Sequence, residues 1–164
     1  MLSAVAEARR VLRSPDPVSG RPRGLLLDIH PTDEPTHLEV WHARYGAEVD
    51  FAEQPDNLEA IHRAPVGGLE HDETLQDFTA TNDALAEALD AGRGFSLTRS
   101  TTFDYRYFFD TLDELTDYLE DNCEHARASD ELLERAALAM RQATTAPKLV
   151  IVQRTVVTAL RKIG

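Results

Sequence analysis

Residues 148–163, KLVIVQRTVVTALRKI, constrain this chain more than any other stretch. Leu149, Ile151 and Val157 fall on one side of an extended backbone and Val150, Val152 and Val156 on the other. A strand that is apolar on both faces must have cover above and below it, so it belongs in the middle of a sheet. Residues 95–109, FSLTRSTTFDYRYFF, give the complementary pattern. Phe95, Leu97, Phe103, Tyr105, Tyr107 and Phe109 alternate with Ser96, Thr98, Ser100, Thr102, Asp104 and Arg106, which predicts a long strand with one wet face.

Around these two strands the reading places helices. Leu2, Val5, Ala6, Ala8 and Leu12 recur at helical spacing over 2–13, and Ser14-Pro15 ends that helix because proline disfavours helix in the residue before it. Three prolines and a glycine make 14–23 a loop. Residues 72–92 form a helix with Asp72 as N-cap, an apolar stripe of Leu75, Phe78, Leu85 and Leu89, and Gly92 as its stop. Residues 111–123 open on a capping box of Thr111 and Glu114, with Leu112, Leu115, Tyr118 and Leu119 as the stripe. Residues 129–143 start at Ser129 with acids in the first turn, where the helix dipole favours them.

Three further segments complete the chain. GLLLDI, 24–29, is apolar without alternation and predicts a strand covered on both faces, of the parallel-sheet type. Residues 37–51 alternate on either side of Tyr45-Gly46 and predict a β-hairpin. Residues 52–70 contain Pro55, Pro65 and Gly67-Gly68 and read as irregular, with one helical turn near 57–63.

Composition bounds the class. The chain has 164 residues and a formal charge of −12, which suits one domain, 1–164, with its own core. An acidic surface repels phosphate backbones, so nucleic acid is not an expected partner. No apolar run reaches the length of a membrane span and no apolar segment follows the N-terminal arginines, so neither a membrane nor a signal peptide is expected. One cysteine, Cys123, fits a reducing cytoplasm. The basic residues are nearly all arginine and alanine is abundant, the imprint of GC-rich bacterial coding.

The order of these elements resembles the C-terminal half of a class I S-adenosylmethionine-dependent methyltransferase. ARRVLRSPDPVSGRPRGLLLDIHP resembles that family's helix, Pro-Gly turn, strand and Asp-x-His-Pro, with a longer insertion at the turn. FSLTRSTTFDYRYFFDTLDELTDYLE and KLVIVQRTVVTALRK resemble its closing antiparallel pair. The resemblance covers 2–30 and 72–163. It implies an α/β fold: part of a Rossmann-like sheet with an antiparallel C-terminal pair, an extra hairpin near 37–51 and flanking helices. It also implies an absence, because the family's Gly-rich turn and ribose-binding acid have no counterpart here. No cofactor-binding residue carries over, and S-adenosylmethionine is expected only if a partner chain supplies the missing half.

The functional reading that follows is a methyltransferase-like domain that is not an enzyme alone and acts by self-association, as a homodimer, or with a cofactor-binding partner. The alternatives are a small-molecule-binding α/β domain, a split methyltransferase subunit, and a small enzyme using Asp28 and His30. Those two residues stand at the carboxyl end of the 24–29 strand, where open parallel sheets bind ligands, and a histidine there can serve as a general base. The plainer reading has them hydrogen-bonding a loop. His30, His37, His42, His62, His71 and His125 show no metal-ligand spacing, so no metal is expected. Asp104 and Arg106 read as a cross-strand ion pair, Tyr105 and Tyr107 as core, and Cys123 as a thiol whose pKa is raised by surrounding acids.

Overall fold

In the computed structural model the described residues are 12, 18, 24–44, 49, 51, 59–71, 76–90, 94–123 and 126–163. Its strands are β1 (Leu25–Pro31), β2 (His37–Ala43), β3 (Ile61–Gly68), β4 (Glu70–His71), β5 (Phe95–Phe109), β6 (Ala126–Arg127) and β7 (Lys148–Lys162). Its helices are α1 (Gln76–Leu89), α2 (Leu112–Asn122) and α3 (Asp130–Gln142). β1 with β7, β2 with β7, β2 with β3 and β4 with β6 all pair antiparallel. β5 also pairs with β7. Ser100 meets Thr158 and Asp110 meets Lys148, so β7 numbers fall as β5 numbers rise.

The expected Rossmann-like parallel sheet is therefore corrected to an antiparallel one. The reason lies in the connections. A parallel pair needs a long crossover between its strands, whereas β2 follows β1 after five residues and each pairs antiparallel with β7. No helix among the described residues is long and apolar enough to cross a membrane.

The chain divides into two compact units, and β5 and β7 each contribute to both. The first draws on Met1–Asp33, Leu75–Phe103 and Arg154–Gly164, the second on Glu34–Thr74 and Asp104–Gln153.

In the first unit β7 lies between β1 and β5. One sheet face carries Leu26 and Leu160, packed with Phe95, Ala88 and Leu85 of α1, and Leu12. The buried Lys162 side chain donates from Nζ to the Leu12 carbonyl at 2.9 Å. GLLLDI is a strand here, but not one covered on both faces: Leu25, Leu27 and Ile29 are 54, 56 and 62% exposed. The predicted helix 2–13 and loop 14–23 lie outside the described residues except at Leu12 and Val18. So do the Asp72 cap and the Gly92 stop. In α1, Leu85 packs inward, Ala88 is fully buried, and Leu89 is exposed instead of belonging to the stripe.

In the second unit the sheet order is β3-β2-β7-β5. α2 and α3 cover one face through Leu115, Leu119, Leu132 and Ala136, which meet Leu38, Val40, Leu149, Ile151 and Phe109. The other face gathers Trp41, Phe51, Ile61, Val150 and Val152 with Phe108. The helix caps are those the sequence predicts. Thr111 Oγ1 accepts from the Glu114 amide at 3.1 Å, and Ser129 Oγ from the Leu132 amide at 3.3 Å. Glu114 reaches back to the amide of Asp110, one residue before the cap.

The predicted 37–51 hairpin has the wrong second strand. β2 pairs with 61–68, a stretch read as irregular or helical, while Val49 and Phe51 lie outside any strand. Pro65 is tolerated because β3 is a sheet edge, where a missing amide hydrogen breaks no ladder bond. Gly67 is required by close approach. A Cβ there would stand 2.9 Å from Leu132 Cδ1 and 2.9 Å from Arg135 Nη2, both on α3. At Gly68 the nearest atom would be the Thr36 carbonyl oxygen at 3.9 Å. Gly67→Ala is therefore expected to lower stability by about 1–3 kcal/mol through overpacking, and Gly68→Ala to cost much less. Urea denaturation midpoints of the two variants check this, and equal losses would contradict it.

Candidate functional site

β1 places Asp28 and His30 two residues apart, so both point to the same sheet face, the one bearing Leu26. His30 Nδ1–H donates to Asp28 Oδ2 at 2.5 Å, with the imidazole side chain 10% exposed. Asp28 stands opposite Thr158, whose hydroxyl lies 3.4 Å from Ser100 Oγ. The sequence thus correctly brings Asp28 and His30 together. The carboxylate fixes the tautomer and leaves Nε2 as the imidazole's second contact point. The argument that marked them as a ligand site, the carboxyl end of a parallel strand, falls with the parallel sheet.

A denser polar network sits on β2 and β3 in the second unit. Glu39 is 7% exposed. Its Oε2 accepts from Trp41 Nε1 at 2.5 Å and Arg63 Nε at 2.8 Å; its Oε1 accepts from Arg63 Nη2 at 2.9 Å and His37 Nε2 at 3.1 Å. Trp41 is fully buried. The Arg63 and Arg106 guanidinium carbons lie 4.7 and 5.3 Å from its ring centroid, a cation–π arrangement for each. Burial alone would raise the Glu39 pKa. The hydrogen bonds from Arg63 and Trp41, with the Arg63 charge, outweigh that and hold it below the ordinary value of 4.5. Arg63 is raised in turn, first by its hydrogen bond to Glu39.

Sequence reasoning missed this network because it placed Glu39 and Trp41 on a wet face, whereas β2 is covered on both faces. The available signal was a carboxylate between Leu38 and Val40, which demands a partner once buried. Asp104 and Arg106 do approach, at 3.8 Å, but as neighbours on one strand and not across two. Tyr107 packs against the helix-covered core, while Tyr105 is 47% exposed and is not core.

A groove of about 470 Å³ in the second unit is lined by Thr116, Leu119, Glu120, Cys123, Ala126, Arg127, Ala128 and Leu133. The Cys123 pKa is raised, as expected, but by burial of the thiol and not by neighbouring acids. His42 and His62 face each other across β2 and β3 with ring centroids 4.9 Å apart, and His42 Nδ1–H donates to the Ala43 carbonyl at 3.1 Å. His71 ends β4, and His125 lies outside the described residues. Among the described residues no group of three or more His, Cys, Asp or Glu side chains is placed to hold a metal ion.

The most unusual surface is the second face of the first unit's sheet. Thr158 stands opposite Asp28 and touches Ser100, so these share one face with Leu26 and Leu160; Phe95 packs on Leu160, so alternation is not kept along all of β5, and the other face takes the odd-numbered residues of β1 and β7 and those of β5 beside Ser100. That second face presents Leu25, Leu27 and Ile29 of β1 with Phe103 of β5, all exposed. Val157 and Ala159 of β7, half-buried, lie opposite Ile29 and Leu27. Among the described residues it carries exposed Arg99 and Arg161 and no carboxylate.

Loss of the Glu39 network is expected to be costly. Glu39→Gln should lower stability by about 3 kcal/mol, because it strands Arg63 against an uncharged partner. With a lowered folded pKa, the ionised carboxylate stabilises the fold above its ordinary value of 4.5, and that contribution is lost as pH falls through the folded value. Acid titrations followed by circular dichroism check this. The variant should lose stability less steeply below that range than the native chain, and parallel curves would contradict the assignment.

Comparison of the chain with protein-family models, with curated proteins and with solved structures gives no match, so the functional reading rests on its own geometry.

Proposed function

We propose that this chain is a non-catalytic association domain that docks through the uncovered apolar face of its first unit. The observation that carries this is the row Leu25, Leu27 and Ile29, each more than half exposed on a strand of strong apolar character. Single exposed leucines are ordinary, whereas contiguous apolar surface on a sheet marks an interaction site. Phe103 extends the row from β1 to β5. The methyltransferase-like reading implied a Rossmann-like sheet, and the antiparallel sheet lends it no support. A cytoplasmic setting, with one cysteine and no possible internal disulfide, is part of the same proposal.

The test is substitution on the face at sub-micromolar concentration. Leu27→Lys and Ile29→Lys should reduce binding of an apolar fluorescent dye severalfold. They should also leave the melting temperature within about 2 °C, since exposed substitutions change stability by roughly 0.5 kcal/mol or less. A melting temperature lowered by about 8 °C or more would mean that these side chains are buried in the working fold, and would overturn the proposal. The reading also predicts no heat of binding on titration of the chain with S-adenosylmethionine at millimolar concentration; saturable one-to-one binding would contradict it.

A further inference from the structure

Resting on that reading, we infer that a second copy of the chain joins this unit at the free edge of β1, antiparallel about a two-fold axis at Leu27, and carries the apolar face on across the junction. The backbone sets the direction. The Thr32 amide donates to the Arg154 carbonyl at 2.8 Å, and the Lys162 amide donates to the Gly24 carbonyl at 3.1 Å. Residues 24 and 32 therefore turn their polar groups toward β7, and by strand alternation 26, 28 and 30 do the same. Leu25, Leu27 and Ile29 turn theirs to the opposite edge, where no strand among the described residues pairs with β1. The residues with outward-facing amides are thus the same residues whose apolar side chains are exposed. Pro31, with no amide hydrogen, ends the donor row.

Such an edge is a template for another strand, and in its own copy one register pairs all three outward residues with one another. A two-fold axis perpendicular to the sheet keeps each face on its own side, so only residues of like parity meet. With the axis at Leu27, Leu27 pairs with its counterpart and Leu25 with Ile29 of the other copy. Every outward amide then finds a carbonyl, and the apolar row becomes continuous across the junction. With the axis at Asp28, the two carboxylates would stand directly opposite, which is destabilising. With the axis at Ile29, Leu27 would face Pro31, which has no hydrogen to give. The Leu27 register also leaves each Asp28–His30 pair intact within its own chain.

Charge points to the same sector. Two copies at −12 repel each other over most approaches. Among the described residues this face offers two arginines and no carboxylate, so no carboxylate pair opposes approach there. Closed two-fold dimers are the commonest way such an edge is satisfied.

The experiment is cysteine cross-linking in the full chain with Cys123→Ser, beside light scattering of the native chain. Opposed hydrogen-bonded residues have Cα atoms about 5.5 Å apart, within disulfide reach. Leu27→Cys should oxidise to a covalent dimer. Leu25→Cys and Ile29→Cys should each form no disulfide-linked dimer alone and cross-link when mixed. Leu27→Pro removes an outward donor while sparing the β1–β7 bonds, and should halve the native dimer mass without loss of sheet signal. Cross-linking of Ile29→Cys with itself, or a dimer that survives Leu27→Pro, would overturn the register. A native chain of single mass at all concentrations would overturn the second copy as occupant, while the dye and melting results would still judge the docking face separately.

Discussion

The structure depends on the double-sided burial of β7. Leu149, Val150, Ile151 and Val152 are all at most 3% exposed. Four consecutive buried side chains on an extended backbone mean that both faces are covered, Leu149 and Ile151 in the helix-covered core and Val150 and Val152 beneath Trp41 and Phe108. Backbone hydrogen bonds must be made as well, since an unpaired buried amide costs about as much as a lost hydrogen bond. β2 and β5 supply them in the second unit, and β1 and β5 in the first. The remaining elements are ways of covering what β7 leaves open.

The polar network around Glu39 follows from that arrangement. Once β2 lies against β7, its side chains on both faces leave water, and a carboxylate among them must be matched or discharged. Arg63 matches it with a fork of two hydrogen bonds, and Trp41 adds a third. A buried pair of this kind often adds little net stability over an apolar pair, yet is expensive to break. Here it ties β2 to β3 through side chains at a point where Glu39 faces Pro65 across the ladder and the register shifts beside it. The arrangement is complete in itself and needs no ligand to explain it.

What was legible in the sequence was what one element can say alone. The span 95–109 matched β5 end to end, although Leu97, Phe103 and Tyr105 of its apolar set are exposed; the two-sided apolar pattern of 148–163 gave a central strand, and Thr111 and Ser129 capped the helices they announce. What was not legible depended on partners distant in sequence. Pro65 and Gly67-Gly68 read as a loop because only the edge position of β3 excuses the proline and only α3 explains Gly67. Arg63 is 24 residues from Glu39, so no local pattern links them. Asp28 and His30 were singled out by their place at the end of the 24–29 run, an argument that fell with the parallel sheet; their contact with each other is what strand alternation allows. The parallel topology failed because apolar content reports a need for cover and not the direction of the neighbouring strand.

That last distinction bears on β1. An unalternating run such as GLLLDI asks for two covered faces, and the described residues cover only one. Leu26 is satisfied inside the unit, with Leu160 and Phe95. Leu25, Leu27 and Ile29 are left with both unburied side chains and outward-facing amides. A ligand lying on the face would meet the first need and not the second. A strand added at the edge meets the second and extends the open apolar face across the junction. Among strands, the copy of β1 itself has the same spacing of donors, the same apolar row and the same freedom from carboxylates on that face.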